Sequence, residues 1–336
     1  MNSNMKSKRV VARVLVCGLG SIGKQHIKVI KKYWPSIEIA ILRSSEKRVN
    51  DEFSNGLLSF GKIDEAAKWK PNAAIISSPS ILHVKQAIYL SKHEIPVLIE
   101  KPLSDGNESR EEIEELISLS KTIPILVGYL LRFDPCAEYL KEIIEKENLG
   151  KILEVDFYCG SWLPDWRTAD GYEKSVSARR DLGGGVLLEL SHEIDLAIWL
   201  LKLIDLEKSI LKNSGLLNVD VEDYAFLLFK SHKEAVVSLR LNFCTQSLKR
   251  SVTIQGEKGM VQWDILKGKI LVESRHGTRD LMTIGVKHDE RLRRQFQNFI
   301  DCIDGESSPI CTVEDGVEVL KVIKEAKLMA SIYGEI

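Results

Sequence analysis

The sequence predicts a doubly wound α/β domain, with a parallel sheet of the Rossmann type, followed by an α+β domain carrying an open, mainly antiparallel sheet. Three observations carry this. Strand-like and helix-like runs alternate through the first third of the chain, which calls for parallel strands joined by crossovers. Near residue 130 the rhythm changes to successive strand-like runs with helices at the margins. The length, 336 residues, exceeds one ordinary domain. The domains are therefore drawn as 1–130 and 131–336, with the last helix as an element that can pack back on the first.

Residues 9–17 (RVVARVLVC) are β-branched and almost uninterrupted, as in a strand buried on both faces. A helix follows over 23–33, with Ile27 and Ile30 inward, and stops before Pro35. Strands are expected at 37–42, 73–77, 97–100 and 125–128, and helices at 64–70, 81–91 and 109–121. Asp134 is placed to cap a helix that opens with Pro135 and runs to about residue 146. Strand-like runs then fall at 152–159, 223–230, 235–243, 251–255, 260–265 and 269–273, with Glu257-Lys258-Gly259 at hairpin distance. Helices are expected at 185–203, 289–304 and 313–332.

Composition excludes several classes. Lys plus Arg number 47 against 48 for Asp plus Glu, a net charge of −1 that leaves no basic surplus for a nucleic-acid partner. No apolar run approaches the ~20 residues of a membrane helix, and the start does not read as a signal peptide, so no membrane association is expected. The six cysteines lie far apart, without a C-x-x-C pair or a matching His cluster. Metal sites and disulfides are disfavoured, and a cytoplasmic location is expected.

Gly18-Leu19-Gly20-Ser21-Ile22-Gly23 is a complete G-x-G-x-x-G between a buried strand and a helix. In that context Gly18 permits a tight turn, Gly20 lets backbone approach a pyrophosphate, and Gly23 packs helix on strand. Ser21 and Ile22 complete the cofactor-binding turn, and the N-terminus of the helix that follows adds the positive end of its dipole. Where an NAD-selective fold usually carries an acid after the second strand, this chain has Arg43-Ser44-Ser45. A guanidinium and hydroxyls suit a 2′-phosphate, so NADP(H) is favoured over NAD(H), unless a shifted loop brings Glu46 to the ribose. Lys101, in Glu100-Lys101-Pro102, follows a strand at the end of the sheet where ligands gather, although a surface turn would read the same way. In the second half, Gly183-Gly184-Gly185 opens a helix on which Glu189, His192 and Asp195 recur at spacings of three, where a solvated face is the alternative.

Taken in order, the glycine turn, Ser78-Pro79-Ser80 with His83, Glu100-Lys101-Pro102, the segment Gly128 to Phe133, and the triple glycine followed by His192-Glu193-Ile194-Asp195 resemble the Gfo/Idh/MocA family of glucose–fructose oxidoreductases and inositol dehydrogenases. The likeness covers nearly the whole chain. It implies a Rossmann domain that binds a nicotinamide cofactor, with Ser78, Pro79, His83 and Glu100 joining the glycine turn, and an α/β domain whose sheet forms a homodimer or homotetramer. It further implies hydride transfer to or from a carbohydrate or cyclitol carbon, with Lys101 as the active-site lysine and His192 as the acid–base histidine. The family commonly has an aspartate four residues before that histidine. Here position 188 is Leu, and Glu189 stands three before. The spacing from the glycines is similar to members found with cell-surface sugar biosynthesis.

Oxidising a secondary alcohol needs a base for the hydroxyl proton and a cation for the developing alkoxide. His192, Lys101 and Glu189 are assigned as base, electrostatic partner and orienter, and Asp195 either holds the imidazole tautomer or caps the helix. The long segment holding Trp166, Arg167 and Tyr172, then Arg179 and Arg180, suits a nucleotide sugar or sugar acid, as does Arg132, with packing and solvated arginines as the alternative. Two other functions fit the same fold. One is a non-catalytic dinucleotide-sensing regulator, and the other is a redox-neutral NAD-dependent glycosidase.

Overall fold

The computed structural model describes residues 11–43, 56–166, 171–231 and 233–332. The chain divides into two compact units at Gly128 and Tyr129, and His288–Glu314 belongs to the first unit.

The first unit is built on β1 (Arg13–Cys17), α1 (Ser21–Tyr33), β2 (Glu38–Leu42), β3 (Leu58–Phe60), α2 (Ile63–Lys68), β4 (Ala73–Ile76), α3 (His83–Lys92), β5 (Val97–Ile99), α4 (Arg110–Ser120) and β6 (Ile125–Val127). The strands form one parallel sheet in the order β3-β2-β1-β4-β5-β6. Val14, Leu15, Val16, Ala73–Ile76, Val97 and Leu98 are fully buried, which explains the unbroken apolar runs. On α1 the buried positions Gly23, His26, Ile27 and Ile30 share one face at helical spacing. A capping box, Ser109 with Glu112, starts α4. Strand order reverses between β1 and β4, so the loops after these strands form the switch point where open α/β sheets take ligands. Glycine turn, Arg43, Ser77-Ser78-Pro79, Glu100-Lys101 and Gly128 all follow strands at this one carboxyl edge.

The second unit begins with α5 (Pro135–Glu145), whose cap is Asp134: its carboxylate accepts the Cys136 N–H at 2.8 Å. β7 (Ile152–Trp162) leads through short 3₁₀ turns to α6 (Val186–Glu189) and α7 (Ser191–Leu201). Next come β8 (Leu203–Lys212), β9 (Tyr224–Ser231), β10 (Val236–Asn242), β11 (Cys244–Gly256), β12 (Gly259–Asp264), β13 (Lys269–Ser274) and β14 (Arg279–Thr283). They make one sheet, β14-β13-β12-β11-β7-β10-β9-β8, antiparallel except for β7 beside β10. Val155, Phe157, Leu239, Leu241, Val252, Ile254, Val261 and Trp263 bury one face of it. Two helices close the chain, α8 (His288–Asp304), packed on α1 in the first unit, and α9 (Val313–Ile332).

The expected helix over 185–203 is broken at Leu190, whose φ of −98° and ψ of 26° leave the helical region. The ladder changes there from Leu190 N–H on the Val186 carbonyl to a three-residue bond from Glu193 to Leu190. Strands β3, β8 and β14 were not expected from sequence. Among the described residues no helix is long and apolar enough to cross a membrane, and no group of three or more His, Cys, Asp or Glu is arranged to hold a metal ion.

Candidate functional site

The glycine turn separates three demands on three residues. Gly18 has φ +93°, and a Cβ there would stand 2.6 Å from the Ser77 carbonyl oxygen, so only glycine lets the β1 and β4 loops close on each other. Ser77 locks them, its hydroxyl donating to the Cys17 and Gly18 carbonyls at 3.0 Å. A Cβ on Gly23 would lie 2.4 Å from the Gly18 carbonyl oxygen. A Cβ on exposed Gly20 would meet no protein atom within 4 Å. Protein packing therefore explains Gly18 and Gly23 but not Gly20, whose bareness fits the approach of a ligand. Gly20 is also the N-cap of α1, and it supplies no side chain to cap the first-turn N–H groups of Ser21 and Ile22. Arg43, half-buried, leaves β2 with its N–H on the Phe60 carbonyl at 3.1 Å. Ser44 and Arg167 lie outside the described residues.

Around Glu100-Lys101-Pro102 the structure adds partners that sequence reading missed. Glu100 is buried, and one carboxylate oxygen lies 2.6 Å from Nε2 of His26, itself 1% exposed, on α1. The other oxygen accepts the Lys101 N–H at 3.2 Å. Gly128 faces this carboxylate, and a Cβ there would stand 3.1 Å from it. His83 is expected among the cofactor residues, yet it is buried and turned inward. Its Nδ1 lies 2.9 Å from the Pro102 carbonyl oxygen and its Nε2 2.8 Å from that of Ser78. Burial holds the His83 imidazole below its ordinary pKa, against the pull of those two carbonyls. His83 and Glu100 thus hold the loops that follow β4 and β5. Ser78 directs its hydroxyl to Gln86 at 2.8 Å, and Pro79 is exposed at the start of a 3₁₀ turn. The signal for His26 lay in the sequence, since it shares the buried α1 face with Gly23 and Ile30.

In the second unit the triple glycine serves the protein's own packing. A Cβ on Gly184 would stand 2.2 Å from the Val176 carbonyl oxygen, and one on Gly185, at φ +110°, 2.4 Å from Glu222 Oε1. The buried Glu222 carboxylate occupies the start of α6, accepting the Leu187 N–H at 3.4 Å. Glu189 closes α6 and His192 opens α7, both half-buried. The His192 ring meets Tyr129 edge-on at 5.8 Å between centroids.

Asp195 and Arg132 are brought together, but as a buried ion pair and not at an exposed site. The Arg132 guanidinium, 2% exposed, binds Asp195 through Nη2 at 2.7 Å and Nε at 3.1 Å, and Asp315 through Nη1 at 3.0 Å. Burial pushes the Asp195 carboxyl up to about 6 in spite of that cation. The expected substrate residue Arg132 and the expected tautomer partner Asp195 are thus engaged with each other within this unit. Glu193, buried beside them, pairs with Arg250 of β11. Trp166 packs edge-on against Phe243 at 5.5 Å, and the Tyr172 hydroxyl accepts the Asn218 N–H at 3.0 Å. Arg179 is paired with Asp181, while Arg180 binds the Asp220 backbone carbonyl. Glu222 and Asp315 carry no motif, and only the fold reveals them, as it reveals the Arg250 partner of Glu193.

A parallel sheet in this order, entered by a glycine turn, defines a dinucleotide-binding Rossmann domain, here followed in the chain by an open-sheet α/β domain. The chain belongs to the Gfo/Idh/MocA oxidoreductase family. Residues 12–127 match its NAD-binding Rossmann fold and residues 141–331 its C-terminal alpha/beta domain. Among similar proteins, inositol 2-dehydrogenase of Corynebacterium glutamicum (strain R) is 25% identical over 238 residues, covering 68% of this chain and 66% of that protein. Inositol 2-dehydrogenase of Arthrobacter sp. (strain FB24) is 31% identical over 147 residues, 42% of this chain and 43% of that protein. The chain thus aligns with just under two thirds, or less, of the length of these relatives. Two solved structures share the fold. Levoglucosan dehydrogenase in complex with NADH has a TM-score of 0.80 at 19% identity, covering 95% of this chain and 96% of that one. UDP-N-acetylglucosamine 3-dehydrogenase from Acidithiobacillus ferrooxidans has a TM-score of 0.77 at 16% identity, covering 96% and 99%.

Proposed function

We propose that this protein is an NAD(P)-dependent dehydrogenase acting on a secondary alcohol of a sugar or cyclitol, with Lys101 and His192 serving the reacting oxygen. The observation that carries the reading is that the bare Gly20 turn and Lys101 leave the carboxyl edge of one sheet. Gly18, Gly20, Ser21, Ile22 and Gly23 would hold the dinucleotide. Bound nicotinamide supplies the hydride acceptor in oxidation and the donor in reduction. The His192 imidazole takes the hydroxyl proton as the alcohol is oxidised and returns it in reverse. The Lys101 ammonium stabilises negative charge on that oxygen. Glu189, close in sequence to His192, orients it or binds a neighbouring hydroxyl. Inositol and sugar dehydrogenases among the similar proteins support the substrate class. Lys101→Ala should lower kcat by about 100-fold or more while dinucleotide affinity stays measurable. Turnover near that of the unmodified enzyme would remove Lys101 from the chemistry.

Three finer points belong to the same proposal. NADP(H) is preferred because Arg43 stands after β2, where an acid would select NAD(H). In Arg43→Ala the ratio of KM for NADP to KM for NAD should rise about tenfold or more, and an unchanged ratio contradicts the preference. Within the sugars, a nucleotide sugar of surface-polysaccharide synthesis is supported by the family-like glycine-to-histidine spacing and by the aromatic loop at Trp166. Arg132, Arg179 and Arg180 are engaged with Asp195, Asp181 and Asp220, so Trp166 and Tyr172 carry that part of the reading. Finally, Val236, Leu228, Leu271 and Leu281 share the outward sheet face by register, which supports a homo-oligomer joined through that sheet.

A further inference from the structure

We propose that His26 is a positioning residue for Lys101, acting through the buried carboxylate of Glu100; this rests on the reading that Lys101 serves the substrate oxygen. A carboxylate at Glu100's depth is costly to bury unless its oxygens are held by hydrogen bonds. Its partners show what it holds. His26 Nε2 fixes one oxygen at 2.6 Å, while the other receives the Lys101 backbone N–H at 3.2 Å. The Glu100 N–H is itself tied to the Ile76 carbonyl at 2.8 Å, so the carboxylate arm cannot swing as a unit with its backbone. Gly128 closes the remaining side, because a Cβ would press on both the Glu100 Cα and the Oε2 at 3.1 Å. On the far side of Lys101, His83 pins the Pro102 carbonyl at 2.9 Å. Lys101 therefore sits between two residues each fixed by a buried histidine.

The two histidines differ in kind. His83 contacts only backbone carbonyls, whereas His26 reaches Lys101 through a side chain that a single substitution can release. His288, Asp289 and Arg291, at the start of α8, are further titratable groups near this cluster. The His288 imidazole is held below its ordinary value by burial and by Arg291, with Glu100 pulling the other way. His26 follows Gly23 by less than one turn of α1, so dinucleotide affinity is read beside kcat to separate an effect on Lys101 from one on the glycine turn.

The test compares the whole protein with His26→Ala, His26→Asn and His26→Gln. Gln can place an amide N–H near the site of Nε2, and Asn is too short to do so. Three readouts are taken: kcat against KM on a sugar the enzyme turns over, NAD dissociation constant, and the rate of reductive methylation of Lys101 followed by peptide mass spectrometry. The expected result is a fall in kcat of about 10- to 100-fold in Ala and Asn, with NAD affinity within about twofold and Gln restoring most of the rate. Lys101 labelling changes severalfold in the same two variants and returns in Gln. Should Ala fail to fold, the Asn and Gln pair decides. Unchanged kcat and labelling in folded Ala or Asn overturns the proposal, as does a loss confined to stability and NAD binding. If the protein turns over no sugar, the labelling arm still tests His26, and the failure belongs to the proposed function alone.

Discussion

Gly18 and Gly20 stand two residues apart and answer to different demands. Gly18→Ala forces a Cβ to within 2.6 Å of fixed backbone at a positive φ and should cost about 1–3 kcal/mol of stability in chemical denaturation. Gly20→Ala meets no protein atom and has an ordinary φ of −70°, so the fold should change by less than about 1 kcal/mol. Its NAD affinity should nevertheless fall about tenfold or more, because a methyl group then stands between backbone and pyrophosphate. Equal behaviour of the two variants in both assays would contradict this division. Arg132 makes the opposite case, a charged residue whose duty is internal. Replacing it with Met leaves Asp195 buried and unpaired, and denaturation should show a loss of about 3–5 kcal/mol. His83 has a folded pKa below its ordinary 6.5, so the unfolded chain binds more protons on acidification. Its contribution to stability is complete above about pH 6.5 and lost as the pH falls toward the folded value. His83→Gln should flatten the acid limb of the stability profile between about pH 7 and 5, and an unaltered slope would sink this assignment.

At the scale of elements, the legible parts of the sequence were those whose cause is local. Asp134-Pro135 starts a helix wherever it stands, and the buried parallel strands announce themselves as unbroken apolar runs. Strands β3, β8 and β14 were not legible: β3 and β14 are edge strands with largely exposed side chains, and β8 is the edge strand at the other end of the second sheet. The break at Leu190 was hidden for a related reason, since residues 185–203 have continuous helical periodicity. The triple glycine is a place of close approach inside the protein. What approaches, the Glu222 carboxylate and the 176–179 backbone, comes from elsewhere in the fold and leaves no mark nearby. Gly185→Ala should therefore destabilise by about 1–3 kcal/mol, and Glu222→Ala should relieve only the part owed to the clash in the double variant, since the positive φ stays strained. Independent, additive effects would show that the carboxylate does not set the turn.

For the whole molecule, both fold types were readable because each follows from the order of apolar periods along the chain. The motifs were readable in the same way: glycine turn, Lys101 and His192 each fall on an element end where the fold exposes backbone or side chain. The tethers behind them were not, because His26, Glu100 and Gly128 lie far apart in sequence and meet only on folding. Lys101 and His192 carry the proposed chemistry, and its decisive readout is reduced-nicotinamide absorbance during incubation with NADP or NAD and a panel of cyclitols, free sugars and nucleotide sugars. A steady absorbance change is expected with at least one of these substrates, lowered by about 100-fold or more in both Lys101→Ala and His192→Ala. Turnover that survives both substitutions, or sugar release without net change in nicotinamide redox state, would contradict it.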